Sequence, residues 1–154
     1  KRFTALCHAF LGAALALSPV AAVIAIEPTY LAGPTIWLIA GFVLLWVAGF
    51  DIIYALQDLD FDRAEGLHSV PAALGWKRAI WVSRLCHLAA FTSLTPRLGA
   101  VFLFAGLSPV AGLLVAEHSV LAQRGKAGLD MAFFTLNGIA SVTLGLAGLI
   151  DLFL

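Results

Sequence analysis

Five stretches of this chain are apolar for about twenty residues each, approximately Thr4–Ile26, Pro34–Gln57, Arg78–Leu94, Leu98–Leu121 and Met131–Leu154, with short polar connections between them. A helix needs about 20 mostly apolar residues to cross the hydrocarbon of a bilayer. The pattern therefore predicts an all-α fold: a multi-pass transmembrane helical bundle of about five helices, forming a single membrane domain over residues 1–154. Because further spans follow the first, that stretch reads as a span and not as a cleaved signal peptide. Pro19 and Pro109 fall inside spans, where neighbouring helices can take up the lost backbone bond. Small residues at Gly12–Ala16, Gly106–Gly112 and Gly145–Gly148 allow helices to approach closely.

Composition agrees with that reading. Of 154 residues, 62% are hydrophobic and only 12% charged, against about 25% charged in a soluble globule. The lipid bilayer is thus the first partner that the sequence implies. A formal net charge of zero leaves no footprint for nucleic acid. Cys7 and Cys86 lie in apolar stretches and read as small hydrophobes, not as a disulfide framework. If the five spans alternate, Lys1, Arg2, Arg63, Lys77, Arg78, Arg124 and Lys126 share one side, with Arg97 opposite and Arg84 inside the third span. The rule that cytoplasmic loops are enriched in lysine and arginine makes that side cytoplasmic.

One connection stands apart from this pattern. "GFDIIYALQDLDFDRAEG", Gly49 to Gly66, places Asp51, Asp58, Asp60 and Asp62 at the cytoplasmic end of the second span. At about 100° per residue, Asp51, Asp58 and Asp62 fall within about 40° of one another, with Tyr54 about 60° to one side and Asp60 opposite. Asp58 and Asp62 form a D-x-x-x-D unit whose carboxylates repel unless a cation intervenes. Hard oxygen ligands suit Mg²⁺, which takes one or two carboxylates and completes its shell with water and phosphate oxygens. Lys1, Arg2, Arg63 and Lys77 are candidates to bind a diphosphate beside such a metal. A solvated acidic loop would be the ordinary reading elsewhere, but ionisable groups at a membrane span are costly and usually functional.

"FDIIYALQDLDFDRAEGLHSVPAALG", Phe50 to Gly75, resembles the second aspartate-rich motif of the UbiA superfamily of intramembrane prenyltransferases, in particular the 4-hydroxybenzoate polyprenyltransferases and their menaquinone-pathway relatives. The D-x-x-Y-A-x-Q-D run, the D-x-x-x-D pair and the following G-x-x-S and "ALG" occur in order. "KRFT" at Lys1–Thr4 is similar to the family's basic segment between its fourth and fifth helices, and "FFTLNG" at Phe133–Gly138 to its last helix. The resemblance implies a nine-helix bundle in the inner (cytoplasmic) membrane, where two aspartate motifs hold Mg²⁺ and a polyprenyl diphosphate and an aromatic acceptor such as 4-hydroxybenzoate takes the prenyl group. It makes Asp58 and Asp62 the metal ligands and Asp51 and Tyr54 the catalytic candidates at the cavity wall. Lys1 and Arg2, with Arg63 and Lys77, are then substrate contacts. The family's first motif, N/D-x-x-x-D-x-x-x-D, does not occur in the sequence, so the expectation is a C-terminal part whose partner is the missing N-terminal half and which catalyses little alone.

Several readings stay open beside this one. Asp51 serves equally as a structural tie to a neighbouring helix, or as a partner for Arg84. Positive-inside anchoring alone accounts for Lys77. Ser69 and Pro71 would shape a cap over the site. Phe42, Trp46, Phe102 and Phe104 could line an isoprenoid cavity or simply pack. His8, His87 and His118 share no ligand-like spacing and read as helix-to-helix hydrogen bonders. The rival function is a cation-coupled membrane transporter module, against which stand the carboxylates' position at one membrane face and the lack of paired broken helices.

Overall fold

The computed structural model describes residues 1–94, 106, 108–151 and 153, and all regular structure among them is helical, as the apolar pattern predicts. The chain divides into two compact units, Lys1–Pro96 and Arg97–Leu154. Residues of the predicted fourth span up to 105, together with 107, lie outside the described residues, as do Arg97, Phe102 and Phe104.

The first unit is built on α1 (Cys7–Ile26), α2 (Pro34–Tyr54) and α5 (Trp76–Leu94). Proline sets the break between the first two. Pro28 disfavours helix at Glu27, whose φ of −153° ends α1, and Pro34 occupies the first turn of α2, where its missing N–H costs nothing. Between them the Glu27 carboxylate accepts from the Thr29 amide and hydroxyl, closing the short 3₁₀ turn Pro28–Ala32.

Only one stripe of α1 is buried: His8, Gly12, Ala16 and Val20, each four residues from the next. That spacing lays them in a row along one face, and three of the four are apolar or small. The row packs on α2, and Gly12 brings the two backbones together, since a Cβ there would run into the Leu44 carbonyl oxygen. A backbone oxygen cannot swing aside as a side chain could. Gly12→Ala is therefore expected to destabilise the unit by about 1–3 kcal/mol, more than the ~0.5–1 kcal/mol that alanine gains as a helix former. Unfolding in detergent micelles checks this, and an unchanged or raised stability would show that the helices are not so close.

On its other side α2 packs against α5. Trp46 is 9% exposed and sits among Phe42, Phe50, His87 and Phe91, with ring centroids 5.1 to 6.0 Å away. Trp46 thus packs between α2 and α5. The Ser83 hydroxyl donates to the Gly49 carbonyl at 2.9 Å, a polar tie between the same helices. Cys7 and Cys86 are free and half-buried.

In the second unit α6 (Ser108–Arg124) packs against a 3₁₀ turn at Gly125–Gly128, a π-helical segment at Met131–Leu136 and α7 (Asn137–Asp151). Judged by length and composition, Cys7–Ile26, Pro34–Ala64 and Met131–Ile150 could each cross a membrane. The helix α5 occupies the predicted third span but carries Lys77, Arg78 and Arg84. The protein is an integral membrane protein.

Candidate active site

The aspartate stretch begins as α2 and then changes its winding. After Tyr54 the chain makes a 3₁₀ turn, Ala55–Asp58, and resumes as the short helix α3, Leu59–Ala64. A 3₁₀ turn has 3.0 residues per turn instead of 3.6, about 20° more per residue, so four such residues rotate the rest of the stretch by about 80°. The single stripe expected for Asp51, Asp58 and Asp62 is divided accordingly. Asp51 turns to α1, and the later pair meets the segment that precedes α1.

That segment supplies a cation. Lys1 Nζ donates to Asp58 Oδ2 at 2.9 Å and lies 3.1 Å from Asp62 Oδ2 and 3.3 Å from Asp62 Oδ1. The two carboxylates differ in setting: the Asp62 side chain is 1% exposed and that of Asp58 is 45% exposed. Burial alone would lower the affinity of the Lys1 ammonium for its proton. The hydrogen bonds and negative charges of Asp58 and Asp62 outweigh that, and its pKa lies above the ordinary lysine value of 10.5.

Asp62 is fixed from a second direction. The Ser69 hydroxyl donates to Asp62 Oδ2 at 2.7 Å and accepts the Ala72 amide at 3.2 Å, so one oxygen both holds the carboxylate and caps α4 (Val70–Leu74). The loop that brings Ser69 back begins at Gly66, whose φ of 63° suits glycine, and the Leu67 amide then donates to the Asp62 carbonyl at 2.7 Å. The His68 amide donates to the Lys1 carbonyl at 2.6 Å, tying the cap to the same basic segment. Ser69 and Pro71 are both buried, in keeping with the cap that the sequence indicates.

Asp51 forms a separate pair. His8 Nδ1 lies 2.6 Å from Asp51 Oδ2, and the Val70 amide donates to His8 Nε2 at 3.2 Å. Of the readings left open for Asp51, the structure shows the tie to a neighbouring helix and not a partnership with Arg84, whose guanidinium lies 4.7 Å over the Trp81 ring. Among the histidines, His8 is the helix-to-helix hydrogen bonder expected, whereas His87 stacks within the aromatic group, 4.5 Å from the Phe50 ring centroid. Nothing in the local pattern marks His8 as a site residue; its position on the small-residue stripe of α1, where a polar side chain must be buried, is the only signal.

The structure thus brings together Lys1, Asp58 and Asp62, and pairs Asp51 with a residue outside the expected set. Tyr54 closes α2 with 39% of its surface exposed, and Asp60 is exposed. Arg2 and Lys77 are exposed. The Arg63 Nε–H donates to the Ala72 carbonyl at 3.2 Å, and Arg63 borders an open cleft of ≈ 260 Å³ that Ala5, Asp62, Leu67 and His68 also line.

Among the described residues no group of three or more His, Cys, Asp and Glu side chains is placed to hold a metal ion. The pair that is present still fits a hard divalent cation. Both carboxylates converge on one positive charge, here an ammonium, and Mg²⁺ commonly takes only one or two protein carboxylates and completes its shell from water and substrate phosphate.

The chain is similar to several known proteins. The chain is 29% identical over 147 residues to a 4-hydroxybenzoate octaprenyltransferase of Nitrosospira multiformis, covering 92% of this chain and 49% of that protein. It is 28% identical to the protein of the same name from Nitrosomonas eutropha, covering 92% and 50%. It is also 30% identical over 110 residues to a C(50) beta-cyclic carotenoids biosynthesis protein, LbtBC, of a Dietzia species, covering 68% of this chain and 25% of that one. The chain spans about half the length, or less, of the curated relatives it matches. No solved structure matches it significantly. The model of the UbiA prenyltransferase family matches residues 1–139, from the lysine at the carboxylate pair to beyond the π-helical segment, and the chain belongs to that family.

Proposed function

We propose that this chain forms the C-terminal part of a Mg²⁺-dependent polyprenyltransferase that moves a polyprenyl group from its diphosphate to an aromatic acceptor such as 4-hydroxybenzoate, in quinone biosynthesis. The single observation that carries the proposal is the convergence of Asp58 and Asp62 on one cation, in a chain of this family. The work is done in the cytoplasmic membrane with the aspartates on the cytoplasmic side, as the lysine and arginine distribution supports.

In this reading Asp58 and Asp62 hold the divalent cation. When bound, such a cation supplies charge that stabilises the departing diphosphate oxygens. The chain's own residues do the rest. Ser69 keeps the Asp62 carboxylate in one orientation, so no reorganisation is needed as negative charge develops on the leaving group. Lys1 offsets part of the charge of the two carboxylates in the ligand-free protein and passes its hydrogen bonds to diphosphate oxygens when substrate arrives, with Arg2, Arg63 and Lys77 as further anion contacts. Asp51 and Tyr54 face the acceptor, where a carboxylate can orient a phenol or accept its proton. The first aspartate motif comes from the segment that completes the length of the relatives.

The test is transfer from a radiolabelled polyprenyl diphosphate to 4-hydroxybenzoate, in membranes containing the protein expressed from its complete reading frame, with and without Mg²⁺. Labelled prenyl-hydroxybenzoate that requires both acceptor and Mg²⁺ is expected. Labelling of a carotenoid acceptor alone would move the substrate assignment toward the Dietzia relative. Cation flux through liposomes that depends on Asp58, without transfer, would establish the transporter reading instead.

A further inference from the structure

His8 is 2% exposed, on a helix face otherwise made of Gly12, Ala16 and Val20. A polar ring buried in a membrane helix is costly unless its nitrogens are used. Here both are. The Val70 amide can only donate, so Nε2 must be the acceptor, and in neutral imidazole that leaves the proton on Nδ1, aimed at Asp51 Oδ2 at 2.6 Å. Rotating the ring by half a turn would present carbon to both partners. Orientation and tautomer are thus fixed together.

The three elements that meet at His8 are those that carry the site. His8 is the second residue of α1, Asp51 lies one turn from the end of α2, and Val70 is the first residue of α4. Ser69, covalently next to Val70, holds Asp62. One ring therefore connects the catalytic candidate Asp51 to the loop that orients the metal pair. A purely space-filling residue at this place would have needed neither nitrogen.

Resting on the proposed function of this site, we infer that His8 is a positioning residue for prenyl transfer. Through Nδ1 it holds the Asp51 carboxylate aimed at the acceptor, and through Nε2 it locks the Ser69–Val70 cap in register with it. It touches no substrate; its effect on the reaction passes through Asp51, while its bond to the Val70 amide steadies the backbone of the cap. Loss of such a supporting hydrogen bond typically costs about 10- to 100-fold in activity.

The test uses the protein from its complete reading frame, with His8→Ala, His8→Gln, Asp51→Asn and the double variant His8→Ala/Asp51→Asn. His8→Ala is expected to lower kcat about 10- to 100-fold while KM for the polyprenyl diphosphate and Mn²⁺ affinity each stay within about twofold. His8→Gln, which offers one donor and one acceptor, is expected to recover most of that loss. The double variant is expected to be no slower than Asp51→Asn alone, as for residues that act as one unit. Two readouts need no turnover: amide exchange across residues 65–72 should accelerate in His8→Ala, and carbodiimide labelling of Asp51 should rise, with both restored by Gln. An unchanged kcat in His8→Ala, or losses that multiply in the double variant, would overturn the inference. So would parallel loss of stability, Mn²⁺ binding and kcat with no rescue by Gln, which is the mark of a merely structural histidine. A wild-type protein that transfers no prenyl group defeats the function reading alone, because exchange and labelling still decide whether His8 holds Asp51 and the cap.

Discussion

Replacing Asp62 by asparagine is expected to lower prenyl transfer by about 10²- to 10³-fold while leaving the protein folded. Asp62 is the buried member of the pair, with 1% of its side chain exposed, and its two oxygens are taken by Ser69 and Lys1. Asparagine retains an oxygen for the Ser69 hydroxyl, so the cap on α4 survives, but it removes the negative charge that holds a cation at a position water cannot fill. The same change at Asp58 is expected to cost less, because that carboxylate is 45% exposed and solvent can stand in for part of its ligand role. The measurement is the initial rate with saturating substrates over a Mg²⁺ titration, alongside thermal stability in detergent. A normal rate and normal Mg²⁺ dependence in Asp62→Asn would remove the basis for the metal site.

Removing the charge of Lys1 is expected to act in opposite directions on two ligands. In the ligand-free protein its ammonium occupies the point at which both carboxylates converge, so Lys1→Gln should bind Mn²⁺ more tightly, by about tenfold, when no diphosphate is present. With substrate the sign reverses: a charge-assisted hydrogen bond to phosphate is worth about 1.5–3 kcal/mol, so KM for the polyprenyl diphosphate should rise about 10-fold or more. Mn²⁺ binding followed by electron paramagnetic resonance and steady-state kinetics separate the two effects. If Mn²⁺ affinity falls in Lys1→Gln, the lysine does not compete for the carboxylates.

The pH dependence of this clasp has a definite sign. The pKa of Lys1 is raised above 10.5 in the folded protein, so its stabilisation is fully present below that value and is lost as pH rises through the higher folded value. The stability difference between wild type and Lys1→Gln should therefore be constant from about pH 7 to about pH 9 and shrink only in strong alkali. A difference that changed near neutrality would point to another titrating group.

The elements of the fold that were legible share a cause, which is that each depends on neighbours in sequence. The first two spans are bounded by Pro28 and Pro34, and proline acts on the residue beside it. The small-residue row of α1 appears in the sequence as Gly12–Ala16, and the structure buries both residues. The D-x-x-x-D pair was legible because Asp58 and Asp62, one turn apart, still reach a single nitrogen.

The winding of the aspartate stretch was not legible. Counting at 100° per residue places Asp51 with the later pair, yet the 3₁₀ turn Ala55–Asp58 rotates them apart. No residue type in "ALQD" distinguishes the two windings, which differ by one position in each hydrogen bond. Trp46 shows the same limit: an aromatic residue in a span can face a cavity, lipid or another helix, and the rings of α5 decided it.

Composition, apolar period and motif together establish a membrane-embedded helical chain with a pair of carboxylates one turn apart, because burial in lipid and carboxylate repulsion act on residues within a turn or a span of one another. The partners of Asp51 and of the pair on the basic segment lie 43 to 61 residues away in the chain. The close approach of α1 to α2 at Gly12 and the return of the loop at Gly66 bring Lys1 to Asp58 and Asp62, His8 to Asp51, and Ser69 to Asp62. Only packing fixes such long-range pairings, and it is packing that turns four aspartates into a buried carboxylate, its half-exposed companion, a histidine-held carboxylate and a surface charge.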